Sequence, residues 1–269
     1  MKHNPGIGAT DELSLRVSVA TLVRVLFENS IDGKLMLALE RKATLHKGEV
    51  EVKCQPFGGA IRILDLEAVH GLLGDFHFDS ERSRAEQDFR IFIRPSAWSV
   101  VREFCIQHLS FVADPILETN PMRELVEEFA DALKISLKPE QYVQRPVATI
   151  VENGAAPTDN IHVKGAPTVR VYRVFETRLS DSSLPQVLMA SSKHVSHQDL
   201  CNLALEDAQN GGKGRANAIL ALPLEHVTDA YLAISPEVRN APFLFKNNRL
   251  DETVPAVLDG ITVPKYQRL

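Results

Sequence analysis

The chain has 269 residues, of which 44% are hydrophobic and 24% charged, the balance of a globular protein with a substantial core. Its formal net charge of -5 gives no support for a broadly basic nucleic-acid surface. Three scattered cysteines, Cys54, Cys105 and Cys201, are too few for a disulfide framework or a zinc site. The first residues lack the apolar stretch of a secretory signal, and no apolar run reaches the length of a bilayer span. We therefore expect a cytoplasmic protein without membrane contact.

The N-terminal part predicts two consecutive strands. Apolar residues recur between Leu13 and Phe27 in the manner of one long strand, and residues 29–33 contain turn-forming residues. Residues 34–41 then return as a second strand that ends in Arg41. The pattern indicates the opening hairpin of a β-sheet.

Paired glycines, Gly58 and Gly59, follow the end of a further predicted strand near Cys54. Without side chains, these residues permit a sharp turn or the close approach of another group. Downstream, alternation predicts a strand at 88–93, and helical spacing of apolar residues predicts a helix at 97–109. The residues after the glycine pair therefore form a structured segment.

The most informative stretch begins at Asn120, a favoured helix N-cap, with Pro121 suited to the first helical position. One face of the predicted helix is apolar, with Met122, Leu125, Val126, Phe129 and Leu133. The opposite face is acidic, with Glu124, Glu127, Glu128 and Asp131. Two interpretations are open. The acidic face is either solvated, as in an ordinary amphipathic helix, or it holds a divalent cation, because Mg²⁺ takes oxygen ligands and completes its shell with water and phosphates.

The C-terminal half predicts further elements with less specific chemistry. Residues 152–167 are rich in loop formers, and 168–177 alternate as a half-buried strand. Ser196 precedes a helical pattern as a cap, while 211–215 form a glycine-rich basic turn for which flexibility is the simpler explanation. Prolines in 236–269 indicate an irregular extension.

The glycine pair followed by Arg123-Glu124-Leu125-Val126-Glu127-Glu128 resembles the signature of the Nudix hydrolases. The resemblance implies an α/β fold, a Nudix-type α/β/α sandwich with a mixed β-sheet and a long structured insertion between the Gly-Gly turn and the acidic helix. It would be a single domain over 1–269, with a core at about 10–235, the insertion at about 66–117 and the extension at about 236–269. The order of turn, Asp-any-Arg strand, helix and Arg-Glu helix is most similar to the SMODS-associated Nudix domain, a subgroup that accompanies bacterial nucleotide-signalling and defence systems.

The resemblance implies a metal-dependent hydrolase that cleaves a phosphoanhydride in a nucleotide or nucleoside-diphosphate-linked compound. Mg²⁺ or Mn²⁺ would be held by Glu124, Glu127 and Glu128, with Glu127 or Glu128 also serving as the base. Arg123 would fix the glutamates by pairing with Asp65 or Glu118. The substrate would lie near Gly58, Gly59 and Arg41, and a late acid, Glu206 or Asp207, would complete the site.

Two alternatives use the same sequence features. A catalytically inert Nudix-fold nucleotide sensor would keep the acids and respond to ligand occupancy, whereas an interaction module would bind neither magnesium nor nucleotide. The resemblance implies a nucleotide-like small molecule as the ligand and a homodimer as one candidate assembly. Base, sugar and leaving group are not specified by these motifs.

Overall fold

A computed structural model of the chain describes residues 12–111, 113–160 and 163–269. In these ranges the strands are β1 (Leu15–Glu28), β2 (Leu35–His46), β3 (Glu49–Gln55), β4 (His77–Phe78), β5 (Arg90–Ile93), β6 (Tyr142–Glu152), β7 (Ala156–Pro157), β8 (Pro167–Leu179), β9 (Arg215–Pro223), β10 (Phe243–Phe245), β11 (Asn248–Leu250) and β12 (Tyr266–Arg268). The α-helices are α1 (Leu66–Leu73), α2 (Glu81–Glu86), α3 (Trp98–His108), α4 (Met122–Leu133), α5 (Leu184–His194), α6 (His197–Gln209) and α7 (Leu224–Ala233). Helices and a mixed sheet together make the α/β class that the sequence predicts.

The chain divides into two compact units, and β1, β6 and β8 contribute residues to both. Unit 1 takes its described residues from 12–20, 60–119 and 151–172. Unit 2 takes them from 21–59, 120–150 and 173–269. The segment predicted as an insertion belongs to unit 1, while the acidic helix and the glycine pair belong to unit 2.

Unit 1 is built around an antiparallel sheet in which β5 pairs with the first part of β1 and with β4. Its core joins apolar side chains of β1, β5, α1 and α3, including Val17, Val19, Phe89, Ile91, Val101 and Cys105. Strand β5 and helix α3 agree with the strand and helix predicted at 88–93 and 97–109. Asp65, a predicted partner of Arg123, caps α1 by accepting a hydrogen bond from the Ala68 N–H at 2.9 Å.

Unit 2 is organised around β2, which pairs with β9 along one edge and with β1 and β3 along the other. Lys47 and Gly48 close the β2–β3 hairpin with positive φ angles of 50° and 85°, the two-residue turn that suits strand twist. Helices α4 and α5 pack on the face of β2 that carries Met36 and Ala38. Helices α6 and α7 pack on the opposite face, which carries Leu37, Leu39 and Ala43.

Two boundaries differ from the sequence expectation. Helix α4 begins at Met122 rather than at Pro121, because Pro121 has a ψ of 7° and the Asn120 side chain accepts a hydrogen bond from the Met122 N–H at 3.0 Å. The segment 236–269 is not irregular throughout, since it contains β10, β11 and β12. Strand β11 pairs in parallel with β3, and Leu250, Val254 and Leu258 are buried in the core under α7. This tail therefore contributes to the core of unit 2.

Candidate functional site

Helix α4 forms because its apolar residues recur at helical spacing and its buried side chains reach a strand face. Leu125 and Phe129 are fully buried, and the Phe129 ring lies 5.2 Å from the Phe57 ring. Since Phe57 immediately precedes the glycine pair, this aromatic contact holds the acidic helix against the Gly-Gly turn.

The glycine pair contacts two of the predicted metal ligands. The Gly58 N–H donates a 2.7 Å hydrogen bond to Oε2 of Glu128. Gly58 has a φ of +130°, and a Cβ there would overlap with the Thr21 carbonyl. A Cβ at Gly59 would overlap with the carboxylate of Glu124. Gly58 requires glycine because its Cβ would meet backbone, whereas a Cβ at Gly59 would displace the end of the Glu124 side chain. Together the two glycines bring the turn against Glu124 and Glu128.

Arg123 lies beside two of the glutamates. Its Nη1 is 2.5 Å from Oε1 of Glu124 and 3.7 Å from Oε2 of Glu127. The Glu127 side chain is 60% exposed, whereas that of Glu124 is 21% exposed. The structure thus gathers Glu124 and Glu128 at the turn and leaves Glu127 at the edge, facing solvent.

A carboxylate that the sequence analysis did not single out, Glu40, adds to this group. Glu40 lies on β2 with no exposed surface, and its Oε2 accepts a 2.9 Å hydrogen bond from Nε2 of Gln55. The Lys42 Nζ is 3.7 Å from the same oxygen. The other oxygen, Oε1, is buried without a hydrogen-bond partner among the described residues. Strand periodicity is the signal that identifies Glu40, because it places this residue on the same face as Met36 and Ala38, beneath α4.

The environment raises the pKa of the Glu40 and Glu128 carboxyls. For Glu40, burial has the largest effect and repulsion from Asp131 adds to it, while Lys42 and Gln55 act in the opposite direction. For Glu128, burial and repulsion from Glu40 raise the pKa well above the usual value, against the Gly58 N–H and Lys42, which lower it. A cation near both groups would offset the repulsion that adds to the effect of burial on these pKa values.

Other predicted site residues lie on the far face of the sheet. Arg41 follows Glu40 on β2 and therefore points to the opposite side, where it donates a hydrogen bond to the Val195 carbonyl. Burial lowers the pKa of its guanidinium. Asp207 accepts a hydrogen bond from the Arg215 N–H at 3.1 Å, so it closes the glycine-rich turn after α6. The structure does not bring Arg41 or Asp207 to the face on which α4 packs.

The oxygen ligands at the turn suit a hard divalent cation, and the buried unpartnered oxygen of Glu40 is a position such an ion would satisfy. In the ranges 12–111, 113–160 and 163–269, no three His, Cys, Asp or Glu side chains are arranged as a ready metal-ligand group. Mg²⁺ commonly takes only one or two carboxylates and completes its shell with water and substrate phosphates. An ion held by these carboxylates alone would therefore complete its shell with other ligands such as water.

Unit 2 also contains a cavity of about 310 Å³ between the end of β1 and the start of α5. Its lining includes Leu26, Glu28, Arg178 and Asp181, and none of the predicted site residues is part of it. This cavity is therefore separate from the Gly-Gly turn.

Comparisons with protein-family models, with curated proteins and with solved structures returned no match to this chain. Across the part of the chain that the structure describes, no helix combines the length and the apolar character needed to span a bilayer.

Proposed function

We propose that this chain is a metal-dependent hydrolase of the Nudix type that cleaves a phosphoanhydride in a nucleotide or nucleoside-diphosphate-linked compound. The observation that carries the proposal is the contact of Glu124 and Glu128 with the glycine pair, beside the buried Glu40. The Nudix resemblance predicts such a pairing of turn and helix. We extend the proposal to the SMODS-associated subgroup, with 66–117 as the insertion of that subgroup.

In the proposed site, Glu124, Glu127 and Glu128 would hold Mg²⁺ or Mn²⁺. The bound ion would offset the negative charge of the pyrophosphate and acidify an attacking water. The chain itself supplies orientation: the Gly58 N–H fixes one oxygen of Glu128, and Arg123 restrains Glu124. These restraints limit the motion of the ligands before substrate binds.

The surroundings of Glu127 and Glu128 indicate which of the two accepts the proton from the attacking water. Glu128 is half-buried and accepts a hydrogen bond from the Gly58 N–H, whereas Glu127 is 60% exposed and lies 3.7 Å from Nη1 of Arg123. A base that must move a proton to solvent is better served by the exposed group, so we assign this role to Glu127. Arg41 has no role in this proposal, because its guanidinium lies on the other face of β2.

The test is a turnover assay with the full chain, Mg²⁺ or Mn²⁺, and a panel of dinucleoside polyphosphates, sugar nucleotides and nucleoside triphosphates. Release of phosphate or nucleoside monophosphate is expected, with loss of turnover on chelation. Glu127→Gln and Glu128→Gln are each expected to lower kcat by at least about 100-fold, the usual range for a lost acid–base group or metal ligand. Glu49→Gln is the matched control, because Glu49 is an exposed glutamate on β3. Turnover that survives chelation or Glu128→Gln contradicts the proposal.

A nucleotide sensor is the second candidate, because Glu127, the assigned base, is 60% exposed at the edge of the turn and a sensor needs no base. A sensor would show a rise in Tm with one of the nucleotides and no turnover, because a ligand that binds only the folded state raises apparent stability. A chain that responds to neither metal nor nucleotide would instead be an interaction module.

A further inference from the structure

The row of side chains beneath α4 changes character along β2. Met36 and Ala38 are buried in the apolar core, and the same strand face continues with Glu40 and Lys42. On β9, Asn217 lies opposite Lys42 and shares this face. The core under the acidic helix therefore ends in a polar patch made of Glu40, Lys42 and Asn217.

Two oxygens of this patch are buried without hydrogen-bond partners among the described residues, Oε1 of Glu40 and Oδ1 of Asn217. A buried acceptor that bonds to nothing costs about 1–3 kcal/mol, and more when it is charged. Gln55 and Lys42 both contact Oε2 of Glu40, so among the described residues this is the oxygen that has partners. Leaving Oε1 of Glu40 without a partner lowers the stability of the fold, and a ligand bound to this oxygen would restore that stability.

The charges around Glu40 identify the kind of ligand. The Lys42 Nζ lies 3.7 Å from Oε2 of Glu40. Gln55, which donates to Glu40, and Gly58, which donates to Glu128, are only three residues apart in the chain. Glu124 adds to the repulsion on Glu128. Carboxyl oxygens of Glu40 and Glu128 are the oxygen ligands that a hard divalent cation takes, and such an ion would favour their charged forms.

We propose that Glu40 is a metal ligand contributed by strand β2, and that Glu40 and Glu128 together bind one divalent cation, Mg²⁺ or Mn²⁺. The inference rests on the proposed function, since it uses Glu128 of the same site. The proposed site thereby includes a ligand from strand β2 in addition to those on helix α4. Because Glu40 is fixed by Gln55 and Glu128 by Gly58, two ligands from different elements would be restrained before the ion binds.

The test measures Mn²⁺ binding to the full chain without nucleotide, by the EPR signal of free Mn²⁺ and by calorimetry. Glu40→Gln keeps the size of the side chain and removes its charge, so we expect at least a ten-fold weaker affinity. Glu49→Gln, on the neighbouring strand, is expected to bind Mn²⁺ as the unmodified chain does. Without metal, Glu40→Gln is expected to have a Tm equal to or above that of the unmodified chain, because a buried, poorly satisfied charge is removed.

A second variant, Glu40→Asp, keeps the charge but withdraws the carboxylate by about one methylene, and we expect several-fold weaker Mn²⁺ binding. It decides the question if Glu40→Gln does not fold. Unchanged Mn²⁺ affinity in Glu40→Gln, or in Glu40→Asp where that variant decides, overturns the inference.

The outcomes also separate this inference from the proposed function. If Glu40→Gln loses Mn²⁺ while the unmodified chain cleaves no nucleotide, the ligand role of Glu40 stands and the hydrolase proposal fails. If turnover depends on Glu128 but Glu40→Gln leaves the Mn²⁺ affinity unchanged, the hydrolase proposal stands and this inference fails. An unmodified chain that binds no Mn²⁺ overturns the inference whatever the turnover.

Discussion

Glu40 on β2 and Glu176 on β8 are both buried strand carboxylates of unit 2, but their partners differ. Glu176 accepts a 2.5 Å hydrogen bond from Nη2 of Arg24 and further bonds at 3.0 and 2.9 Å from Arg145 and Arg178. Glu40 has Gln55 and a lysine at 3.7 Å, and one of its oxygens has no partner among the described residues. Arginines thus compensate the charge of Glu176, whereas Glu40 has fewer hydrogen-bond partners and no arginine beside it among the described residues.

The pKa values follow these surroundings. Burial alone would raise the pKa of Glu176, but hydrogen bonds from Arg145 and Arg178 and the charge of Arg24 outweigh it and lower the pKa to about 2. For Glu40, burial prevails and the pKa is raised. Glu176 is therefore a structural ion-pair centre, whereas Glu40 is an incompletely satisfied acid of the kind that functional sites keep.

The largest effect expected from this comparison is on stability at Glu176. Arg24, whose side chain is only 4% exposed, pairs with the buried Glu176 and with the exposed Asp259 at 2.6 Å. Glu176→Gln removes the buried partner, so we expect the free energy of unfolding to fall by about 3 kcal/mol. Denaturant unfolding measures this change. Arg145→Gln is the control and should cost much less, because that partner is exposed to solvent. An equal loss in the two variants would contradict the view that the buried pair dominates.

Acid should weaken the same centre. The folded pKa of Glu176, about 2, lies below its unfolded value of about 4.5, so its stabilisation is present above pH 4.5 and is lost as the pH falls toward 2. We expect this carboxylate to account for about 2 kcal/mol of that loss, after allowance for solvent screening of the exposed Arg145 and Arg178. Unfolding curves between pH 5 and pH 2, compared with those of Glu176→Gln, measure it. A variant with the same acid dependence as the unmodified chain would refute the assignment.

Local patterns in the sequence predict much of the secondary structure around the candidate site. The alternating residues of β1 and β2, the two faces of α4 and the cap of α6 at Ser196 are each encoded within a few residues, because helix and strand periods are local properties. The contact between Gly59 and Glu124 could be expected only from the family resemblance, since 64 positions separate the two residues.

Glu40 and the C-terminal tail show what sequence alone could not resolve. In the sequence, Glu40 looks like the polar end of a strand. Its burial depends on helix α4, a distant segment of the chain, packing over that face of β2. Strand β11 pairs with β3 across almost 200 residues, and no local pattern specifies that pairing. Helix α5 was not predicted, and its Ser192 hydroxyl accepts a hydrogen bond from the Ala221 N–H of β9 at 2.9 Å.

A smaller effect is expected at the turn. In Gly59→Ala the new methyl would overlap with the Glu124 carboxylate, so the side chain must rotate away. We expect a loss of about 1 kcal/mol in the free energy of unfolding and a several-fold weaker Mn²⁺ affinity. Gly154→Ala is the matched control, because a Cβ there meets no atom within 4 Å. If Gly59→Ala binds Mn²⁺ as tightly as this control, Glu124 is not a ligand.

The smallest effect on stability is expected at Glu127. Its side chain is 60% exposed and lies 3.7 Å from Arg123, so Glu127→Gln should change the free energy of unfolding by no more than about 0.5 kcal/mol. Denaturant unfolding of this variant beside Glu176→Gln completes the comparison, because it sets a solvated carboxylate against a buried, paired one. If Glu127→Gln is fully stable but inactive, its charge acts in chemistry and not in folding. A loss of stability comparable to that of Glu176→Gln would instead mean that Glu127 has structural partners, and the base role would pass to Glu128.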